Sequence, residues 1–128
     1  MKIDHIAIYA EDLKGMKKFF QTFFGGKASR IYKNNKTGFS SYFIEFEDRT
    51  RLELMHRYNV VQTMKTLGYP AGLHHVCFSV GSIEQVNRIT ALLNDKGYEI
   101  LSDPRKTGDG YYESCISGPE RIIIEITA

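Results

Sequence analysis

Four residues of this 128-residue chain have the types and the spacing to hold a divalent metal ion. His5 opens the apolar run His5-Ile6-Ala7-Ile8-Tyr9, and His75 opens the matching run His75-Val76-Cys77-Phe78-Ser79-Val80. A helix-like stretch follows each run. Each half of the chain then closes on a strand-like segment with a central Glu: Arg51-Leu52-Glu53-Leu54-Met55 and Ile123-Ile124-Glu125-Ile126-Thr127. The separation is 48 residues from His5 to Glu53 and 50 from His75 to Glu125. Two imidazoles and two carboxylates suit one borderline divalent ion, Zn²⁺, Ni²⁺ or Co²⁺. Water would fill its remaining positions, and a substrate with two neighbouring oxygens could displace that water.

Each of these residues also has a plainer use. A lone His at a strand end ordinarily just satisfies a hydrogen bond. A Glu among apolar neighbours ordinarily finds an ion pair, for which Arg51 is available to Glu53, or water at an edge. A carboxylate is costly to bury without a partner, and one metal ion accounts for both Glu residues at once. His75 is preferred to His74 because only His75 stands at the repeat position of His5. His74 is expected to point to the opposite face or to be lost in a strand end, so its removal should not affect metal binding. His56 reads as a surface or rim residue, and Cys77 has nothing nearby that marks it as a nucleophile. Glu53 and Glu125 are also the candidate catalytic groups, since a carboxylate displaced by substrate can carry a proton.

The elements that must position these residues repeat as well. Residues 3–10 read as a strand, with Asp12 as the cap of a helix whose Leu13, Met16, Phe19, Phe20, Phe23 and Phe24 recur at helical spacing. Gly25-Gly26 ends that helix. Strands are expected over 27–33, 39–47 and 50–55. A polar connection over 57–72 has some helical character and ends at Gly68, Pro70 and Gly72. The order then recurs: a strand over 74–80, then a helix capped by Ser82 with Gln85 in the capping-box position. Its apolar face is Val86, Ile89, Leu92 and Leu93, and Gly97 ends it. Strands follow near 98–102, 110–116 and 121–127. The expectation is a single α+β domain over 1–128 made of two βαβββ modules, about 1–56 and about 73–128.

Strand side chains alternate between faces. If Ile6, Ile8, Leu52 and Leu54 face a helix-covered core, His5, Ala7, Tyr9, Arg51, Glu53 and Met55 face away from it. The same parity puts His75, Cys77, Ser79, Ile123, Glu125 and Thr127 opposite Val76, Phe78, Val80, Ile124 and Ile126. All four candidate ligands thus fall on the faces that no helix covers. Two such sheets, paired, would make a cup with the ligands on its wall.

Composition narrows the classes. A net charge of +2 with both signs scattered gives no nucleic-acid footprint. Cys77 and Cys115 lie inside apolar segments and read as reduced. No apolar stretch is long enough to span a bilayer, and no signal-peptide pattern opens the chain. A cytoplasmic protein that does not need metal to fold is expected.

The segments Asp4-His5-Ile6-Ala7-Ile8, Gly72-Leu73-His74-His75-Val76-Cys77-Phe78-Ser79-Val80, Gly108-Asp109-Gly110-Tyr111-Tyr112-Glu113-Ser114 and Pro119-Glu120 through Ile126 resemble the vicinal oxygen chelate superfamily, which includes glyoxalase I. The resemblance covers essentially the whole chain. It implies paired βαβββ modules, metal ligands at His5, Glu53, His75 and Glu125, and a homodimer acting on a small molecule. The activity implied is that of a metal-dependent lyase or isomerase working through an enediolate-type intermediate. Tyr9 stands where bacterial glyoxalase I enzymes place an Arg that helps bind glutathione, and the last hairpin lacks the usual Gly-Asn. Other activities in the superfamily are extradiol dioxygenases, which use Fe²⁺ with two His and one carboxylate, and thiol transfer by fosfomycin resistance proteins on three ligands. Bleomycin-resistance-type relatives bind small molecules without metal. A His/Glu quartet fits the glyoxalase-like reading better than any of these.

Overall fold

A computed structural model describes residues 3–61 and 72–128 of the chain. Residues 62–71, which make up most of the expected connection and include Gly68 and Pro70, lie outside the described residues. The chain is α+β and divides into two compact units, Met1–Met64 and Lys65–Ala128.

In the first unit the order is β1 (Ile6–Tyr9), α1 (Leu13–Phe24), β2 (Lys27–Ala28), β3 (Tyr32–Asn34), β4 (Phe39–Glu45) and β5 (Arg51–His56). Helix α1 begins where the Asp12 carboxylate accepts the Gly15 N–H at 2.9 Å, one of the donors a helix start leaves open. It ends where Gly25 takes a left-handed φ of 67°. Its Leu13, Met16, Phe19 and Phe20 are buried against β4 and β5, where Tyr42, Ile44, Leu52 and Leu54 are buried too. Phe23 and Phe24 are half-buried and lean on the Phe19 ring. A Cβ on Gly26 would lie 2.4 Å from Ile44 Cγ2, so the turn out of α1 approaches the sheet too closely for a side chain.

The first sheet runs β1-β5-β4-β2, with β3 also paired to β4. Only the β1–β5 pairing is parallel, with Ala7 opposite Glu53 and Tyr9 opposite Met55. The strand expected over 27–33 is broken in two. Ser29 causes the break: its N–H donates to the Phe43 carbonyl, but the Phe43 N–H goes to the Ser29 hydroxyl at 3.0 Å instead of to a backbone carbonyl. A side chain that takes a ladder position interrupts the strand that carries it.

The second unit repeats the plan as β6 (Val76–Ser79), α2 (Ile83–Asp95), β7 (Glu99–Lys106), β8 (Tyr112–Ser117) and β9 (Ile123–Thr127). Its sheet runs β6-β9-β8-β7, with β6–β9 parallel and Cys77 opposite Glu125. Ser82 caps α2 through the Gln85 N–H. The helix buries Val86, Ile89, Thr90 and Leu93, whereas Leu92, expected in the core, is exposed. Thr90 takes that inward position because its hydroxyl is satisfied twice, by the Val86 carbonyl at 2.7 Å and the buried Ser114 hydroxyl at 2.6 Å. Strand β7 runs further than expected. It passes Pro104 because its pairing with β8 shifts register on the way, and an edge strand with bulges tolerates a missing N–H.

The duplication reaches the backbone of the turns. Arg49 (φ 67°) and Arg121 (φ 64°) are both left-handed, and each stands four residues before its unit's Glu. The hairpins around them close alike, through Phe46 N–H to the Thr50 carbonyl and Gly118 N–H to the Ile122 carbonyl. A left-handed conformation costs a non-glycine residue about 1–2 kcal/mol, and a new glycine returns part of that as unfolded-state entropy. Arg121→Gly should therefore stabilise the protein by about 0.5–1 kcal/mol. Denaturant unfolding should show a higher midpoint at unchanged slope, and a lower midpoint would contradict the strain at this turn.

Candidate functional site

In each unit the parity reading fixes which side chains share a face. Leu52 and Leu54 are buried towards α1, so Glu53 between them projects from the uncovered face of the first sheet. Ile124 and Ile126 are buried on either side of Glu125 in the second. His5 and His75 lie just before β1 and β6 and come to the same faces. His5 Nε2 stands 3.7 Å from Glu53 Oε2, and His75 Nε2 stands 3.8 Å from Glu125 Oε2. The side-chain exposures match as well, 34% and 17% for the first pair and 38% and 22% for the second, so both pairs are sheltered but open to a solvent-borne ion.

Both separations are too long for a direct hydrogen bond. They are within the span of a single ion bound at about 2.0–2.2 Å from each donor. The residues present therefore fit a divalent ion as half-sites of one imidazole and one carboxylate. Among the described residues no group of three or more His, Cys, Asp or Glu forms a complete metal cluster.

The surroundings of the half-sites differ, and the sequence did not reveal how. In the first unit, His5 Nδ1 is 2.9 Å from the Asp4 carboxylate. Arg51, the partner that a plain ion pair would have given Glu53, pairs with Asp4. The hydrogen bond to His5, aided by Arg51, holds the Asp4 carboxyl below its ordinary range. Phe43, opposite Glu53 in register, meets the His5 ring edge-on with centroids 5.2 Å apart and lies under the Arg51 guanidinium at 4.9 Å.

In the second unit His74 is not lost in a strand end. Its Nδ1 is 3.0 Å from His75 Nδ1, so it is the counterpart of Asp4. The counterpart of Phe43, opposite Glu125, is Cys115. Burial, together with the Glu125 carboxylate, pushes the Cys77 thiol up to about 12 and the Cys115 thiol upward too. Neither offers a thiolate nucleophile near neutral pH. Glu113 sits 3.7 Å from Arg105 across β7 and β8. Burial first, then the nearby Glu125, raises its carboxyl above the ordinary range.

His56 is half-buried, and its Nδ1 bonds the Ala10 carbonyl at 2.8 Å, tying the ends of β1 and β5 together. It is a structural residue of the strand ends. Tyr9, on the ligand face, borders an open groove of about 380 Å³ with Arg57, Asn59, Val60 and Val61. Among the described residues no helix is long and apolar enough to cross a membrane.

Comparisons with known proteins identify the family and the fold. The chain is 28% identical over 127 residues to the uncharacterized protein YqjT of Bacillus subtilis strain 168, covering 97% of this chain and 96% of that one. A possible glyoxalase from Bacillus cereus superposes with a TM-score of 0.74 at 25% identity, covering 100% of this chain and 99% of that one. Glyoxalase I from Zea mays superposes with a TM-score of 0.78 at 19% identity. That match covers 98% of this chain but 44% of the maize protein, so the chain spans less than half of its length. The family profile that matches covers residues 2–126, both half-sites included. The chain belongs to the Glyoxalase/Bleomycin resistance protein/Dioxygenase superfamily.

Proposed function

We propose that this protein is a metal-dependent lyase or isomerase of the glyoxalase type, with one divalent ion held by His5, Glu53, His75 and Glu125. The observation that carries the reading is the repetition of one arrangement. In both units an imidazole Nε2 faces a sheltered carboxylate at nearly the same distance, 3.7 and 3.8 Å, at equivalent positions of the repeat. Each pair is too widely spaced for a direct hydrogen bond and is partly open to solvent, as the half-site of an ion would be. The half-sites would join from unlike modules, within one chain or across a homodimer.

When bound, the ion would supply Lewis acidity to a substrate with two neighbouring oxygens. The chain's own residues supply the rest. The two imidazoles hold position. Either Glu53 or Glu125 could take the proton beside the substrate carbonyl and return it to the neighbouring carbon. Tyr9 on the same face offers a phenol where glutathione-binding relatives have an Arg, so glutathione is not the preferred thiol carrier. The substrate remains a small oxygen-chelating molecule.

The test is a turnover screen of untagged protein loaded with Zn²⁺, Ni²⁺ or Co²⁺ against dicarbonyl hemithioacetals of several thiols and against free oxygen-chelating substrates. Metal-dependent conversion of one class, with glutathione adducts poorer than another thiol's, is expected. Tight binding of a small molecule to chelated protein, with no turnover under any metal, would replace this reading with that of a metal-free binding protein.

A further inference from the structure

We propose that Asp4, anchored by Arg51, is a positioning residue that sets the tautomer of His5, leaving the Nε2 lone pair directed at Glu53. The role in metal affinity rests on the metal-site reading above; the role in the tautomer does not.

A neutral imidazole carries one N–H and one lone pair. A carboxylate can only accept, so the 2.9 Å contact between Asp4 and His5 requires the proton on Nδ1. The lone pair is then on Nε2, the atom that faces Glu53 across 3.7 Å. Left to itself in water, an imidazole side chain favours the opposite tautomer, with the proton on Nε2, which would block that atom as a ligand. Asp4 is in turn held by the Arg51 guanidinium. Arg51 lies over the Phe43 ring, and Phe43 closes the set by packing edge-on against His5. Three side chains, from just before β1, from β4 and from β5, thus fix one imidazole.

The duplicated unit acts as an internal comparison. At the equivalent positions it has His74 for Asp4, Ile123 for Arg51 and Cys115 for Phe43. His75 Nδ1 still has a partner, the His74 ring at 3.0 Å. That partner is another imidazole, and Ile123 and Cys115 stand where the first unit has a guanidinium and an aromatic ring. The two ligand histidines are therefore held unequally, His5 by a fixed charge and His75 by a second imidazole. Outer partners of this kind typically change metal affinity about 10–100-fold when removed.

The experiment records nitrogen–proton correlation spectra of the histidine rings in metal-free protein, at a pH where imidazole is neutral, and titrates each protein with Zn²⁺ by calorimetry. The proteins are the parent, Asp4→Ala, Asp4→Asn and His74→Ala. Asp4 is largely exposed, so its variants should keep the parent fold. The parent should show His5 with its proton on Nδ1. Asp4→Ala should shift His5 towards the Nε2-protonated form and lower zinc affinity about 10–100-fold. Asp4→Asn, whose amide oxygen still accepts, should fall between parent and Asp4→Ala on both readings, and His74→Ala should lose less affinity than Asp4→Ala. Nε2-protonated His5 in the parent, or an unchanged tautomer in Asp4→Ala, would overturn the proposal. If the tautomer shifts as expected but the parent binds no zinc, the positioning role stands and the metal-site reading fails.

Discussion

Replacing either His5 or His75 by Ala should weaken Zn²⁺ binding by more than about 100-fold. Loss of an outer partner typically costs about 10–100-fold, and these changes remove a donor itself. Each imidazole is the only one whose Nε2 faces its unit's Glu among the described residues. Both substitutions lie at exposed positions before a strand, where a smaller side chain leaves the core intact. His56→Ala is the control. It removes the bond to the Ala10 carbonyl, so it should lower stability by about 1 kcal/mol and leave zinc affinity unchanged. Calorimetric titration separates these outcomes. Parent-like affinity in both His5→Ala and His75→Ala would remove these residues from the metal site.

The second large effect concerns the two carboxylates. On a substrate that the parent converts, Glu53→Gln and Glu125→Gln should both lower turnover, but unequally. At the position that mainly holds the ion, a Gln still offers a carbonyl oxygen and some activity survives. At the position that moves the proton, Gln keeps the shape and loses the base. That variant should lose about 10²–10⁴-fold in rate, the usual contribution of general base catalysis, while retaining metal. The units' different walls give the carboxylates different settings. Glu53 stands beside Phe43, and Glu125 stands beside Cys77 and Cys115 with Glu113 nearby. Steady-state rates with metal content measured on the same samples decide the matter. Full turnover in both variants would rule out the carboxylates as proton carriers.

Much of this fold could be read from the chain because its signals are local. Asp12, Gly25 and Ser82 mark helix ends by chemistry that acts within one turn. The alternation in Leu52-Glu53-Leu54 and Ile124-Glu125-Ile126 assigns faces without knowing what lies beyond them. The parts that could not be read depend on register or on irregular backbone. Asp4 and His74 precede β1 and β6, where alternation no longer dictates direction, so their approach to Nδ1 of the next residue had no sequence signal except their shared place in the repeat. Phe43 and Cys115 are neighbours of the two Glu residues only through strand pairing, and a slip of one residue would send them to the other face. Arg51 was available to the nearer carboxylate in sequence, Glu53, whereas parallel pairing with β1 delivers Asp4 to it. The break at Ser29 and the inward turn of Thr90 each depend on a hydroxyl finding a particular distant partner, which apolar periodicity does not report.

The most direct measurement is the metal stoichiometry of untagged protein after equilibrium dialysis against Zn²⁺, with metal and protein quantified on the same sample. One ion per chain in the parent, and none retained by the double variant His5→Ala/His75→Ala, is the expected result, whether the half-sites join within a chain or between two copies. No saturable binding would contradict a metal site at these residues. Two ions per chain would mean that each His/Glu pair works alone and that the four-donor site does not form.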